Sequence, residues 1–236
     1  MPISIIFTFC CCLLFSTLAF SQVPEGLILM DPEVSPHAIV VDKKNRQLSL
    51  WQVESGSLKK IGDYPTDMGK VDGNKSKLGD HRTPEGIYFF NERLEQIPFE
   101  LYGSLAFATN YPNSFDEIDG KTGHGIWLHA IPDQVPLTRG SKGCVVVRDK
   151  VIHDLEKYIK LFSTPMIIQS SANLVSQQEI DKQKKQILDW VENWRAQWQG
   201  RNLDKYISFY SPQFKGLGMN VRQWKKYKQT LNEKYQ

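Results

Sequence analysis

The chain has 236 residues, of which 41% are hydrophobic and 23% are charged, and its formal net charge at pH 7 is +3. These values are typical of a globular protein with one or two domains. A charge this small does not suggest a nucleic-acid-binding protein, which usually carries a clustered basic face.

The first 21 residues contain no charged side chain and hold the apolar run IIFTFCCCLLFSTLAF. Ala19-Phe20-Ser21 then places small residues at the two positions that a signal peptidase recognises. The pattern predicts an export signal over residues 1–21 that is cleaved before Gln22. The alternative is an uncleaved membrane anchor, for which the run is slightly short.

Cysteine usage follows from this prediction. Removal of the signal also removes Cys10, Cys11 and Cys12, and Cys144 is then the last thiol of the chain. An internal disulfide is thereby excluded. A lone cysteine in an exported chain indicates either intermolecular pairing or a reactive thiol.

Residues 22–36 are interpreted as an N-terminal linker, and residues 37–170 show a pattern of short strands and turns. Many short apolar runs bounded by Gly, Pro, Asn or Asp indicate a mostly β sandwich or barrel. The predicted strands are HAIVVD, RQLSLWQV, LKKIGDY, GIYFF, LAFAT, GIWLHA, CVVVR and PMIIQ.

One helix is predicted inside this β-rich part, over DKVIHDLEKYIKLF. Asp149 is suited to cap its N-terminus. Apolar residues recur at helical spacing along it, namely Val151, Leu155, Tyr158, Ile159 and Phe162.

Residues 175–236 differ in character and predict a smaller α-rich unit. Ser176 to Glu179 form a capping-box pattern, and Gly200 fits a helix end. Between them runs an amphipathic stripe, which we interpret as core packing rather than a ligand site: Ile180, Ile187, Val191, Trp194 and Trp198.

The chemistry centres on Cys144, which needs a base to act as a nucleophile because a free thiol has little thiolate at neutral pH. His129 lies fifteen residues upstream, at the end of GIWLHA. If GIWLHA and CVVVR are neighbouring strands, the loop between them returns the thiol beside the imidazole as a Cys–His pair. A thiol activated in this way is expected to react with thiol reagents well below pH 8.

The turn before Cys144 supports this interpretation. Gly143 would let backbone N–H groups approach a developing oxyanion. Ser141 lies in the same turn, and Lys142 adds positive charge. The alternative is that Cys144 is a small buried hydrophobe and His129 a structural residue at a strand end.

The segment HAIPDQVPLTRGSKGCVVV resembles the catalytic motif of the L,D-transpeptidases with a YkuD-like fold, in which a His and a loop precede Ser-x-Gly-Cys. GDHRTPEGIYFF and VDKKNRQLSLW resemble two further segments of these enzymes. The resemblance covers residues 37–170. It implies that Cys144 attacks a peptidoglycan stem peptide at the bond between the third residue and the terminal D-alanine. It also implies that His129 is the base and that the carbonyl of Ala130 orients it.

Three positions depart from the family pattern. Lys142 stands where the family often has His, Ala130 where Gly is common, and Val146 where Arg is frequent. Arg148 shares the predicted strand face of Cys144 and is a candidate carboxylate binder. The alternative interpretation is that Arg148 is a solvent-exposed charge at the end of the strand.

Two further observations concern the remaining histidines. His81 and Arg82 lie in a loop that either reaches the substrate or forms a surface turn. His124 precedes His129 by an odd offset, so a straight strand would place the two on opposite faces.

The spacing of His, Cys, Asp and Glu suggests no zinc site, and no cofactor is expected.

The tail WVENWRAQWQGRNLDKYISFYSPQF resembles the opening helices of an NTF2-like domain, as found in transpeptidase-like proteins that trim stem peptides in curved bacteria.

The expected function is that of an exported enzyme, in the periplasm of a Gram-negative bacterium. A thioester on Cys144 passed to an amine gives a 3–3 cross-link or protein attachment. Passed to water, it gives L,D-carboxypeptidase trimming. A non-catalytic wall-binding module is the alternative from another class.

Overall fold

The structure is a computed structural model and describes residues 22–138 and 140–235. The predicted export signal and Cys10 to Cys12 lie outside the described residues. The protein is mostly β, with a curled eight-stranded sheet followed by a helical part, and 29% of it is helical and 30% strand. The predicted fold class is confirmed.

Twelve strands and six helices are present in the described residues. The strands are β1 (Gln22–Pro24), β2 (His37–Asp42), β3 (Gln47–Glu54), β4 (Ser57–Pro65), β5 (Gly86–Leu94), β6 (Ala106–Thr109), β7 (Trp127–Ile131), β8 (Val145–Arg148), β9 (Pro165–Gln169), β10 (Leu174–Ser176), β11 (Lys215–Gly216) and β12 (Met219–Asn220). The helices are α1 (Phe99–Tyr102), α2 (Ser114–Ile118), α3 (Asp149–Leu155), α4 (Gln177–Gln199), α5 (Leu203–Ile207) and α6 (Val221–Lys234).

The large sheet has the strand order β4-β3-β2-β9-β5-β6-β7-β8. Neighbouring strands are antiparallel except for two parallel pairs, β2 with β9 and β7 with β8. The parallel pair at the end of the sheet is the important one here, because it joins the strand that carries His129 to the strand that follows Cys144.

Side-chain alternation along the strands builds two cores. In β2, Ile39 and Val41 belong to the main core, whereas Ala38 and Val40 belong to a second core. Successive strand residues point to opposite faces, so the sheet separates the two cores. Helix α3 packs on the main core, and the start of α4 packs on the second.

The N-terminal segment corrects the sequence interpretation. Residues 22–36 were expected to be a linker, but β1 pairs with β10 and Val23 and Leu27 are fully buried in the second core. The apolar residues of this segment account for the difference, because they pack in the second core against the sheet.

The predicted helix at Asp149 is shorter than expected. It ends at Leu155 and continues as a single 3-10 turn, and Phe162 is 73% exposed with a φ of +62°. Asp149 does not cap the helix, because its carboxylate accepts hydrogen bonds from the backbone N–H and the hydroxyl of Ser104 instead. The predicted cap was therefore wrong: a tertiary contact takes the capping group.

The C-terminal helices confirm the predicted cap at Ser176, although Glu179 does not make the reciprocal bond of a capping box, and they confirm only part of the apolar stripe. The hydroxyl of Ser176 accepts a hydrogen bond from the N–H of Glu179, and Gly200 ends α4. Ile180 is buried, and Trp194 packs against the rings of α5. The rest of the stripe is exposed among the described residues: Ile187, Val191 and Trp198.

Across the described part of the chain, no helix combines the length and the apolar character that a bilayer crossing requires.

Candidate active site

A cavity of about 830 Å³ opens beside the parallel pair of β7 and β8. Strand alternation determines which side chains line it: His129 and its neighbours two residues away face the cavity, and the residues between them face the main core. Cys144 and Val146 face the cavity in the same way from the second strand. Both members of the predicted pair thus line one open cavity.

His129 is held in a defined tautomer. The ring is buried, with 5% exposure, and its Nδ1 lies 2.7 Å from the carbonyl oxygen of Ala130. Only a protonated Nδ1 can donate to a carbonyl, so Nε2 carries the lone pair when the ring is neutral. Burial lowers the pKa of His129 below its usual 6.5, opposed by the Ala130 hydrogen bond. The ring of Tyr102 packs edge-on against it, 5.1 Å between centroids.

Cys144 is half-buried, and its thiol donates to the carbonyl oxygen of Gly125 at 3.5 Å. Burial raises the pKa of Cys144 to about 11, while a backbone hydrogen bond from Trp127 and the charge of Lys75 lower it. No hydrogen bond joins the sulfur to the imidazole among the described residues. The expectation of a thiolate well below pH 8 is therefore not supported, because desolvation outweighs the nearby donors.

The turn before the cysteine is closed by Ser141. Its hydroxyl donates to the carbonyl oxygen of Cys144 at 2.8 Å and accepts from the N–H of Gly143 at 3.0 Å. Gly143 has a φ of +135°, and a Cβ there would lie 2.8 Å from the carbonyl oxygen of Arg82. Glycine is required at this position. Its N–H donates to Ser141, so the backbone donor that was expected to face an oxyanion is already occupied.

The loop between the two catalytic candidates is fixed by Asp67. This carboxylate is buried and accepts hydrogen bonds from the N–H of Gly140 and from Arg46, at 3.1 and 2.7 Å. The backbone of Asp67 also pairs with that of Val146 through two hydrogen bonds of 2.8 Å. Asp67 therefore covers the free edge of β8 and ties the loop to it.

The remaining predicted residues separate into two groups. Lys142 is exposed and lines the cavity, as do His81 and His124. His124 precedes β7, so the predicted opposition of the two histidines on one strand does not hold. Arg148 and Arg82 do not line the cavity.

Arg148 has a structural contact in place of the expected open position. Its guanidinium donates to the carbonyl oxygens of Asp133 and Val135 in the loop that borders the cavity. The backbone carbonyl oxygen of Arg82 lies against Gly143, and its Nε is buried without a partner in the described residues.

Two residues of the site were missed from the sequence. Asp67 and Lys75 lie far from Cys144 along the chain, in a loop-like stretch without a recognisable motif. Only their burial in pairs, Asp67 with Arg46 and Lys75 with Asp80, distinguishes them from surface charges. No group of three His, Cys, Asp or Glu side chains able to hold a metal ion occurs within residues 22–138 and 140–235.

Comparison with known families gives two matches along the chain. Residues 36–168 match the YkuD family, described as the L,D-transpeptidase catalytic domain. Residues 186–236 match the Cds6 C-terminal NTF2-like domain. No curated protein matches the chain significantly.

Two solved structures are similar over most of the chain. Bd1075 from Bdellovibrio bacteriovorus is 49% identical, with a TM-score of 0.77, and the match covers 92% of this chain and 75% of that one. The helical cell shape determining protein Pgp2 from Campylobacter jejuni is 25% identical, with a TM-score of 0.71, and the match covers 85% of this chain and 70% of that one.

Proposed function

Because the chain belongs to the YkuD family of L,D-transpeptidase catalytic domains, we propose that it is an exported cysteine acyltransferase that acts on peptidoglycan stem peptides. The observation that carries the proposal is the opening of Cys144 and His129 into one cavity, with Nε2 as the free nitrogen of the imidazole. The signal-like segment over residues 1–21 supports export.

The first half of the reaction forms a thioester. The sulfur of Cys144 attacks the carbonyl carbon of the bond between the third residue and the terminal D-alanine, and its proton passes to Nε2 of His129. The C–N bond then breaks. His129 returns the proton to the leaving amine, and D-alanine departs. A neutral thiol beside a neutral imidazole is the resting pair, so proton transfer accompanies the attack rather than preceding it.

The second half of the reaction depends on the acceptor. An amine attacks the thioester carbonyl carbon and gives its proton to His129. The C–S bond then breaks, His129 returns the proton to the sulfur of Cys144, and the product is a 3–3 cross-link or a protein attachment. A cavity of about 830 Å³ supports this course, because it is within the size range of pockets that enclose ligands.

Hydrolysis of the thioester is a second candidate, which would make the protein an L,D-carboxypeptidase that trims tetrapeptides. The NTF2-like match at residues 186–236 favours it, together with the similarity to a protein that determines helical cell shape. In this course a water takes the place of the amine, and the same two residues act.

Purified tetrapeptide muropeptides distinguish these outcomes. Mass spectrometry of the products should show release of D-alanine, with cross-linked dimers for the transferase and tripeptides for the carboxypeptidase. Cys144→Ala should give neither. If the unaltered protein also gives neither, while Cys144→Ala behaves as the unaltered protein does in the cell, the non-catalytic wall-binding module replaces both enzymes.

A further inference from the structure

We propose that Lys75 forms a subsite for the free terminal carboxylate of the peptide whose carbonyl Cys144 attacks. The inference rests on the proposed function and deepens it, because a carboxylate subsite would restrict the reaction to the last residue of a stem peptide. Lys75 lines the catalytic cavity although its side chain is only 3% exposed. A lysine is rarely buried to this extent without a specific partner.

The ammonium of Lys75 has one donor to spare. It donates to Asp80 at 2.7 Å and to the carbonyl oxygen of Lys77 at 3.2 Å. An ammonium has three N–H bonds, and no third hydrogen bond is made within the described residues. The ring centroid of Tyr111 lies 6.0 Å away and adds a weak contact. The third N–H is available to a ligand in the cavity.

The carboxylate of Asp80 neutralises the positive charge of Lys75 only in part. This carboxylate also accepts hydrogen bonds from three backbone N–H groups, those of Ser76, Lys77 and Arg82, at 2.8 to 3.1 Å. Burial raises the pKa of Asp80, but the hydrogen bond from Lys75 and these three backbone donors together hold it far below its usual value, so Asp80 stays ionised. Because peptide dipoles already balance much of this negative charge, Lys75 keeps an attraction for a second carboxylate.

Lys75 and the sulfur of Cys144 lie against the same short segment of the cavity wall, and the charge of Lys75 reaches the thiol. A Cβ on Gly123 would lie 3.2 Å from Cε of Lys75, and the carbonyl oxygen of Gly125 lies 3.5 Å from the sulfur of Cys144. The two contacts are thus two residues apart on one segment. A terminal carboxylate lies one residue beyond the attacked carbonyl, which is about 3.3–3.6 Å further along an extended chain.

The charges around the cavity favour an anionic ligand. Asp67 is the one carboxylate among its described lining residues, and it is paired with Arg46 at 2.7 Å. Against it stand the ammonium groups of Lys75 and Lys142. A cavity lined by one sign of charge raises the local concentration of ligands of the opposite sign.

Competition between two alkylating reagents tests the subsite without any substrate. Iodoacetate carries a carboxylate close to the carbon that the sulfur attacks, whereas iodoacetamide is neutral, and both react with the same thiolate. The ratio of carboxymethyl to carbamidomethyl groups on Cys144, measured by mass spectrometry of its peptide, therefore cancels any change in thiol pKa. The folded full chain should give a ratio about tenfold above that of the urea-denatured chain, as expected for one charged hydrogen bond.

Two variants test whether the ratio of the two alkylation products depends on Lys75. Lys75→Met should lower the ratio of the folded protein by about tenfold. Lys121→Met is the matched control, because Lys121 is also mostly buried and pairs with Asp116 at 2.7 Å but does not line the cavity. Its ratio should stay within about twofold of the unaltered protein. Equal ratios in the folded and denatured unaltered protein would overturn the subsite even if Lys75→Met does not fold.

Kinetics with tetrapeptide substrates distinguish failure of the carboxylate subsite from failure of the proposed function. With tetrapeptide substrates, amidation of the terminal carboxylate should raise KM in the unaltered protein and have little effect in Lys75→Met. Turnover of both peptides with equal KM would overturn the subsite while the proposed function stands. An elevated alkylation ratio without any turnover would support the subsite and count against the proposed function.

Discussion

The two nitrogens of His129 have different environments, and this sets the acid limit of the proposed reaction. Nδ1 is fixed on the carbonyl of Ala130, and burial lowers the pKa of the ring. A base must be neutral to accept a proton, so the base is present above this lowered pKa and lost below it. We predict that kcat/KM on tetrapeptide stays constant down to pH 6.5 and falls only below it. An acid limb with its midpoint above pH 6.5 would contradict the assignment.

The environment of the Cys144 thiol allows a second prediction, which concerns the rate of its alkylation. Burial raises its pKa from 9.0 to about 11, which lowers the thiolate population at pH 7 about a hundredfold. Alkylation of Cys144 by iodoacetamide should therefore be about a hundredfold slower at pH 7 in the folded than in the denatured protein, and it should rise up to about pH 11. A plateau below pH 8 would instead indicate a preformed thiolate.

Gly143 gives a prediction about geometry. Its φ of +135° and the carbonyl of Arg82 leave no room for a side chain. Gly143→Ala should destabilise the fold by about 1–3 kcal/mol and lower turnover. Gly56 is the control, because it also has a positive φ, of +81°, but nothing lies within 4 Å of the position that a Cβ would occupy there. Equal turnover in Gly143→Ala and Gly56→Ala would contradict a close fit at the turn.

At this scale the sequence allowed us to predict that Cys144 and His129 open into one cavity, but not what surrounds them there. Their common location could be predicted because His129 lies in one recognisable strand and Cys144 immediately precedes another. The environment of the thiol could not, because desolvation depends on residues brought together by the whole fold. Arg148 shows the same limit: its strand face was predictable, but the loop carbonyls that occupy its guanidinium were not.

At the scale of elements, the buried carboxylate of Asp67 holds the loop between β7 and β8 beside the contacts that Arg148 makes with the same loop. Asp67→Ala removes the acceptor of Gly140 and Arg46 and should cost about 1–3 kcal/mol of stability. It should also lower kcat/KM by about tenfold or more, because the loop carries the cysteine turn. Chemical denaturation and steady-state kinetics measure the two effects.

A matched variant separates this effect from a general loss of charge. Asp63 pairs with Lys60 on the surface, with side chains 42% and 46% exposed. Asp63→Ala should cost less than about 1 kcal/mol and leave kcat/KM unchanged. Equal losses in the two variants would show that Asp67 has no special role in holding the loop.

Helix α4 offers a second matched pair on one element. Ile180 is 2% exposed and packs in the second core, whereas Ile187 is 39% exposed. Ile180→Ala should destabilise the protein by about 2–5 kcal/mol, and Ile187→Ala by much less. Similar unfolding midpoints for the two variants would contradict the docking of α4 on the sheet.

The predicted helices and strands were most reliable where the spacing of the apolar residues and the capping residues indicated the same boundaries. The start of α4 at Ser176 and its end at Gly200 follow from local chemistry. Its stripe was wrong in part, since helical spacing shows which residues share a face but not whether another element covers that face. The strand β1 was missed because three residues are too few for a period to be recognised.

At the scale of the molecule, the curled sheet brings distant segments to one cavity. Asp67 and Lys75 come from the stretch before β5, His129 from β7 and Cys144 from the turn that immediately precedes β8. The family resemblance allowed the fold class to be predicted. The joint contribution of these segments could not be predicted, because it depends on β8 lying at the sheet edge where residue 67 pairs with it.

The central claim is that Cys144 carries the acyl group. Intact-protein mass spectrometry after rapid mixing with a tetrapeptide tests it most directly. The account predicts an added mass equal to the tripeptide acyl group, located on Cys144, removed by hydroxylamine and missing in Cys144→Ala. Turnover of the tetrapeptide with the adduct on another residue, or with undiminished rate in Cys144→Ala, would contradict it.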